Sequence, residues 1–255
     1  MSNPNIVAII PARYGSTRLH AKPLIDLCGK TMIQRVYEQV KKSSLVKNII
    51  VATDHQDIAA TVGKFGGVVM TPADIKSGSD RIAYVAKDLK NAEIVVNVQG
   101  DEPLIPPQMI DAAIQPMLDD ESIQVATIVK PISKSEDLFD PGVVKVVLDK
   151  ENYALYFSRS PIPHLREEYD KAIWHHRHQF YKHFGIYVFR KKFLLQFTEL
   201  KETALEQAEK LEQLRILEHG FRIKVTITEH DSIAVDTAED ADKVRRLLEK
   251  NKDKY

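Results

Sequence analysis

Pro11-Ala12-Arg13-Tyr14-Gly15-Ser16-Thr17-Arg18-Leu19-His20-Ala21-Lys22-Pro23 gathers two arginines, a lysine, a glycine and two hydroxyl residues between prolines. Arg13 and Arg18 can fork onto phosphate oxygens, and Lys22 adds a point charge, so the loop suits an anion as extended as a triphosphate. A second polar loop, Ser77-Gly78-Ser79-Asp80-Arg81, opens a predicted helix. Free N–H groups and Arg81 there would face the same anion, although capping by Ser79 alone would also explain it. Val96-Asn97-Val98-Gln99-Gly100-Asp101-Glu102-Pro103 places a carboxylate just past a buried strand, and Gly100 permits close backbone approach. Asp101 could hold a magnesium ion that bridges phosphates. Asp236 stands before the cap of the last predicted helix, so capping does not account for it. It is a second metal ligand if the fold carries it to Asp101.

Other patterns carry less. Gly29-Lys30-Thr31 lacks the earlier glycine of a Walker loop, since Leu24 stands there. No Gly-x-Gly-x-x-Gly exists, which argues against a nicotinamide or flavin dinucleotide site. Segment 174–183 holds four of nine histidines, but it has no cysteine or carboxylate, and Arg177 and Lys182 disfavour zinc. Glu212 and Gln213 fall away from the Leu211, Leu214 and Leu217 stripe, either solvated or reading substrate hydroxyls.

The elements that must position these residues alternate. Ile6–Ile10, Asn48–Thr53, Gly67–Met70 and Ile94–Gln99 read as short buried strands. Helices are predicted over Met32–Ser43, with capping-box spacing at Thr31 and Gln34, over Gln56–Phe65 with Asp54 and Asp57 at its start, and over Ser79–Leu89. This rhythm predicts an α/β fold, a Rossmann-like, mostly parallel sheet with helices on both faces. Gln124–Pro131, Gly142–Leu148, Leu155–Ser158 and His183–Phe189 then read as strands with little helix between them, an antiparallel addition. One helix is predicted over Thr203–His219, a strand over Arg222–Thr228, and a last helix from Thr237 and Asp240. No domain boundary is visible, so 1–255 reads as a single domain with an inserted arm over roughly 131–190.

Lys+Arg and Asp+Glu both number 36, which disfavours general nucleic-acid binding. The single cysteine, Cys28, excludes an internal disulfide framework. Without a spanning apolar stretch or a signal-like N-terminus, no membrane insertion and a cytoplasmic location are expected.

The segments 9–19 and 22–24, with Val51-Ala52-Thr53-Asp54, Ser77–Arg81 and Asn97–Pro103, resemble the 3-deoxy-manno-octulosonate (KDO) cytidylyltransferase family. So do Val144–Val147, Ala154–Arg159, His183–Tyr187, Leu211–Arg215 and Val235–Thr237, and the resemblance covers nearly the whole chain in order. It implies a single α/β fold with a small antiparallel arm for homodimer contact. It also implies CMP transfer from CTP to the anomeric hydroxyl of KDO with magnesium and release of pyrophosphate, for lipopolysaccharide biosynthesis. Arg13, Lys22, Asp101 and Asp236 would be catalytic, the two aspartates as metal ligands. Pro11, Ala12, Arg13, Gly15, Ser16, Lys22, Ser79, Arg81, Gln99 and Asp101 would hold the nucleotide, and Gln99, Arg159, His183, Tyr187, Glu212 and Gln213 the sugar. The chain departs from the family at His20-Ala21, where relatives carry Pro-Gly, and over Pro163–Gln179, which has no matching pattern.

Three rival readings stand beside this one. An 8-amino analogue of KDO could be the acceptor. A metal-dependent nucleotide-sugar glycosyltransferase would usually show Asp-x-Asp, whereas Glu102-Pro103 follows Asp101 here. A non-catalytic nucleotide-binding protein would bind CTP without releasing pyrophosphate.

Overall fold

A computed structural model describes residues 4–15 and 19–251. They fall into two compact units, one within Met1–Asp111 and Asp231–Tyr255, the other Ala112–His230.

In the first unit β1 (Ile6–Ala12), α1 (Met32–Lys41), β2 (Asn48–Thr53), α2 (Gln56–Val62), β3 (Gly67–Met70), α3 (Gly78–Asp88) and β4 (Ile94–Asn97) alternate, and α4 (Pro107–Asp119) follows, with the boundary after Asp111 falling inside it. The strands form a parallel sheet in the order β3-β2-β1-β4. The chain moves outward from β1 to β2 and β3, then returns to the other side of β1 as β4. The strand order therefore reverses between β1 and β4, the position where open α/β sheets bind ligands beyond their carboxyl ends. Ala12 pairs with Thr53 and Ile9 with Asn97, so the loops bearing Arg13, Asp54 and Asp101 leave from one edge.

Local chemistry sets the helix starts. Thr31 caps α1 by accepting from the Gln34 N–H at 3.4 Å. The expected reciprocal half of that box does not form among the described residues, and the Gln34 side-chain amide donates to Glu38. The cap of α2 is His55, whose Nδ1 accepts from the Asp57 N–H, not Asp54. Ser77, not Ser79, caps α3, accepting from the Asp80 N–H at 3.0 Å. α4 was not expected: Pro107 begins it, where a missing N–H costs nothing, but Pro116 within it breaks the sequence pattern.

The second unit contains β5 (Val125–Pro131), α5 (Ser135–Phe139), β6 (Lys145–Leu148), β7 (Ala154–Ser158), α6 (Trp174–Arg177), β8 (Tyr181–Arg190), α7 (Lys191–Thr198), α8 (Ala204–Glu209), α9 (Gln213–Glu218) and β9 (Lys224–Ile227). β5 runs antiparallel to β8 and parallel to β9, while β6 runs antiparallel to both β7 and β8. The predicted antiparallel addition is present. The single helix expected over Thr203–His219 is two, divided at Lys210, whose φ is 53°. Arg215 explains the break: its Nε and Nη2 meet the buried Glu206 carboxylate at 2.8 and 2.5 Å. In one straight helix, nine residues would separate them by roughly 13 Å.

α10 (Ala238–Lys250) belongs to the first unit and starts on the expected Thr237–Asp240 capping box. Val235, Ala241, Val244 and Leu248 pack with Leu27, Met32 and Leu104, which ties the chain's last helix to its early turns. No described helix is long and apolar enough to cross a membrane.

Candidate active site

A cleft of about 320 Å³ opens at the carboxyl edge of the first unit's sheet. Pro11, Ala12, Arg13 and Lys22 line it from the loop after β1, Arg81 from α3, Gln99 and Asp101 from the loop after β4, and Asp236 from the segment before α10. Sequence positions more than 200 residues apart meet here through backbone geometry. The Val235 N–H donates to the Asp101 carbonyl at 2.8 Å, which sets Asp236 beside that loop. Gly100 is required at the same turn, because a Cβ there would lie 2.7 Å from the Pro11 carbonyl oxygen. Of the other expected nucleotide residues, Gly15 and the buried Ser79 do not line the cleft, and Ser16 lies outside the described residues.

Lys22 occupies the centre. Its Nζ is 2.6 Å from Asp101 Oδ2 and 2.8 Å from Asp236 Oδ1. Burial works against the charge, but the two carboxylates outweigh it and hold the Lys22 pKa above its ordinary value. The ammonium stands where a cation shared by both aspartates would stand. Two converging carboxylates are the hard oxygen donors that magnesium would take. The residues present therefore fit that ion. Behind them Glu102 is buried, and its Oε2 has no hydrogen-bond partner among the described residues. Burial pushes its carboxyl up to about 7, and the neighbouring Asp101 and Asp231 charges add to the effect.

Arg81 is 3% exposed, and Asp54, Thr71 and Pro72 hold its guanidinium. Asp54 also accepts from the Tyr14 N–H, so it joins the loop after β1 to α3. Asp54 was missed as a site residue; the signal for it was its place directly after β2, where helix capping looked sufficient. Ser77 and Gly78 bring the N-terminus of the eleven-residue α3 to the cleft wall.

Arg159, His183, Tyr187, Glu212 and Gln213 all lie in the second unit. The register of β5 against β8 jumps from Thr127↔Tyr187 to Ile128↔Phe184, so Gly185 and Ile186 bulge out of the ladder. Four residues of regular strand would carry His183 roughly 13 Å from Tyr187, whereas their ring centroids are 5.3 Å apart. Thr127 Oγ1 bridges the bulge, lying 3.0 Å from His183 Nε2 and donating to the Ile186 carbonyl at 2.7 Å. Burial lowers the His183 pKa to about 3, so the ring is neutral near pH 7. Burial and the Glu212 charge raise Tyr187 well above its ordinary value. The Tyr187 hydroxyl is buried with no hydrogen-bond partner among the described residues. Glu212 and Gln213 begin α9 after the break at Lys210.

A family model described as cytidylyltransferase matches residues 7–227. The 3-deoxy-manno-octulosonate cytidylyltransferase of Geotalea uraniireducens is 52% identical over 250 residues, covering 96% of this chain and 99% of that protein. That of Geobacter sulfurreducens is 51% identical, with the same shares covered. Among solved structures, CMP:2-keto-3-deoxy-manno-octonic acid synthetase complexed with CTP superposes with a TM-score of 0.90 at 40% identity, covering 97% of this chain and 99% of that one. Similarity at this level, sustained along both chains, goes beyond a shared nucleotide-binding sheet. This chain belongs to the 3-deoxy-manno-octulosonate cytidylyltransferase family.

Proposed function

We propose that this chain joins CMP from CTP to the anomeric hydroxyl of KDO and releases pyrophosphate. The observation that carries the reading is the meeting of Lys22, Asp101 and Asp236 at the reversal point of the sheet.

Arg13 and Lys22 bind the phosphates and neutralise charge that grows on the leaving pyrophosphate. The N-terminus of α3 adds oriented N–H groups for the same anion. Arg81, held by Asp54 and Thr71, fixes the wall on which the nucleotide rests. Asp101 and Asp236 would hold magnesium. Bound there, the ion would screen the phosphates and make a sugar hydroxyl more acidic. Gln99 serves nucleotide and sugar. Arg159 receives the sugar's carboxylate. His183, being neutral, addresses a hydroxyl, and Tyr187 supplies a buried phenol that a second hydroxyl can satisfy. Glu212 and Gln213 read further hydroxyls.

Segment 131–190 is read as the arm through which two copies pair in the cytoplasm. β7 pairs only with β6 among the described strands, and its Leu155 is 60% exposed.

The test is pyrophosphate release from CTP with KDO or its 8-amino analogue, with Asp101→Asn alongside. The expected results are release with KDO and collapse of turnover in D101N with an unchanged circular dichroism spectrum. Near-normal turnover in D101N would refute the role of the carboxylate pair.

A further inference from the structure

Lys145 opens β6 and is fully buried. Its ammonium meets backbone carbonyls instead of a carboxylate, donating to Asp140 O at 2.8 Å and Val143 O at 2.5 Å. Lysine is almost never buried so completely without an ion pair, and the Asp140 and Glu209 charges act on it only from beyond hydrogen-bond reach, so the arrangement needs a cause. The carbonyls it holds frame the turn 140–143, whose Asp140, Pro141 and Gly142 are exposed. Within the turn, the Val143 N–H donates to Asp140 O and the Gly142 N–H to Asp140 Oδ1.

The turn leads to Arg159. The Pro141 carbonyl accepts from Arg159 Nη1 at 3.0 Å. The Glu209 carbonyl accepts from Nε at 2.8 Å, and the Lys210 carbonyl lies 3.5 Å from Nη2. The break between α8 and α9 makes those two carbonyls available, since no following helical turn uses them. The Glu209 carboxylate fixes the backbone beneath, accepting from the Arg159 N–H at 2.9 Å and the Ser158 hydroxyl at 2.6 Å. A guanidinium carries five N–H donors. These contacts take three and leave one on each terminal nitrogen, the complement that two carboxylate oxygens accept.

We propose that Lys145 is a positioning residue for the acid-sugar end of the reaction, holding from below the turn whose Pro141 carbonyl aims the Arg159 guanidinium. The inference rests on the reading of Arg159 as the carboxylate-binding group. Without the ammonium, the exposed turn loses its two internal anchors and the guanidinium loses one of the acceptors that set its plane.

The experiment is steady-state pyrophosphate release by K145M, R159M and the double variant, with CTP and KDO varied in turn. K145M is expected to raise KM for KDO roughly tenfold, about what one weakened charge-assisted hydrogen bond costs, with KM for CTP within about twofold of the parent. K145R, which keeps the cation, restores the parent value. In the R159M background, K145M adds less than about twofold. Equal rises in both KM values, or a full additional effect on top of R159M, would overturn the positioning role. An unchanged KM for KDO in R159M would instead overturn the reading of Arg159. Should K145M fail to fold, K145Q keeps one amide donor for a carbonyl and carries the same comparison.

Discussion

Replacing His183 by glutamine isolates the cost of keeping a histidine neutral inside the second unit. The ring packs edge-on to Phe157 and beside Tyr187, and Thr127 engages Nε2. Burial lowers its pKa from 6.5 to about 3. The folded state therefore refuses a proton that the unfolded chain accepts. Stability is intact above the unfolded value and is lost as pH falls from 6.5 toward 3. At pH 5 the linkage loss is about 2 kcal/mol, against almost nothing at pH 7.5. This figure depends only on the unfolded pKa while the folded value lies well below 5, so the partly exposed edge of His183 leaves it standing. Glutamine does not titrate. Its lost packing is a constant offset that cancels when the two pH values are compared. Urea unfolding followed by fluorescence of Trp174, the chain's one tryptophan and buried in the same unit, reads the relevant transition. H183Q should lose about 2 kcal/mol less than the parent between pH 7.5 and pH 5. Equal losses in the two proteins would show that the imidazole is not held neutral, and the assignment of His183 to a sugar hydroxyl would fall with it.

Three further outcomes are expected. Glu102 is raised to about 7, so the folded state holds a proton that the unfolded chain releases, and stability is lost as pH rises from 4.5 through 7. E102Q should then be stabilised at pH 8.5 relative to pH 5 by about 2.5 kcal/mol more than the parent; a gain independent of pH in chemical denaturation would contradict this. Ala21 has φ 49° and ψ 35°, a left-handed conformation that costs a residue with a Cβ. A21G should raise stability by up to about 1 kcal/mol, the freed strain being partly offset by the more flexible unfolded chain, and a lower melting temperature would argue against that strain. Lys22→Met removes the ammonium shared by Asp101 and Asp236, so nucleotide-free enzyme should bind Mn²⁺ roughly tenfold more tightly in an electron paramagnetic resonance titration. Unchanged Mn²⁺ affinity would show that Lys22 does not compete for that place.

Strand–helix alternation and the loops after β1 and β4 were legible along the chain, because apolar runs and Gly, Pro and cap residues act over a few positions. Arg13, Lys22, Asp101 and Asp236 stood out as charges at predicted element ends, where solvation and capping could not account for all of them. Less legible were features whose cause is a distant partner. The predicted helix 203–219 has an uninterrupted helical pattern, and it divides where Arg215 reaches back to Glu206 and Arg159 takes the Glu209 and Lys210 carbonyls. The bulge that draws His183 to Tyr187 leaves no periodic trace, since strand alternation persists on either side of it.

Short-range chemistry thus determined the phosphate and metal candidates: cations in a loop, carboxylates past strands and hydroxyls at helix starts all follow from neighbours in the sequence, whereas Arg159, His183 and Tyr187 stood out only through the family resemblance. Which of them meet was decided by the tertiary structure. The Val235–Asp101 backbone bond brings a carboxylate from the end of the chain to Lys22, and the buried Lys145 steadies a turn that Arg159 depends on. The physical reason is that a charge's partners lie across the fold, and their distance is set by packing and register rather than by separation along the chain.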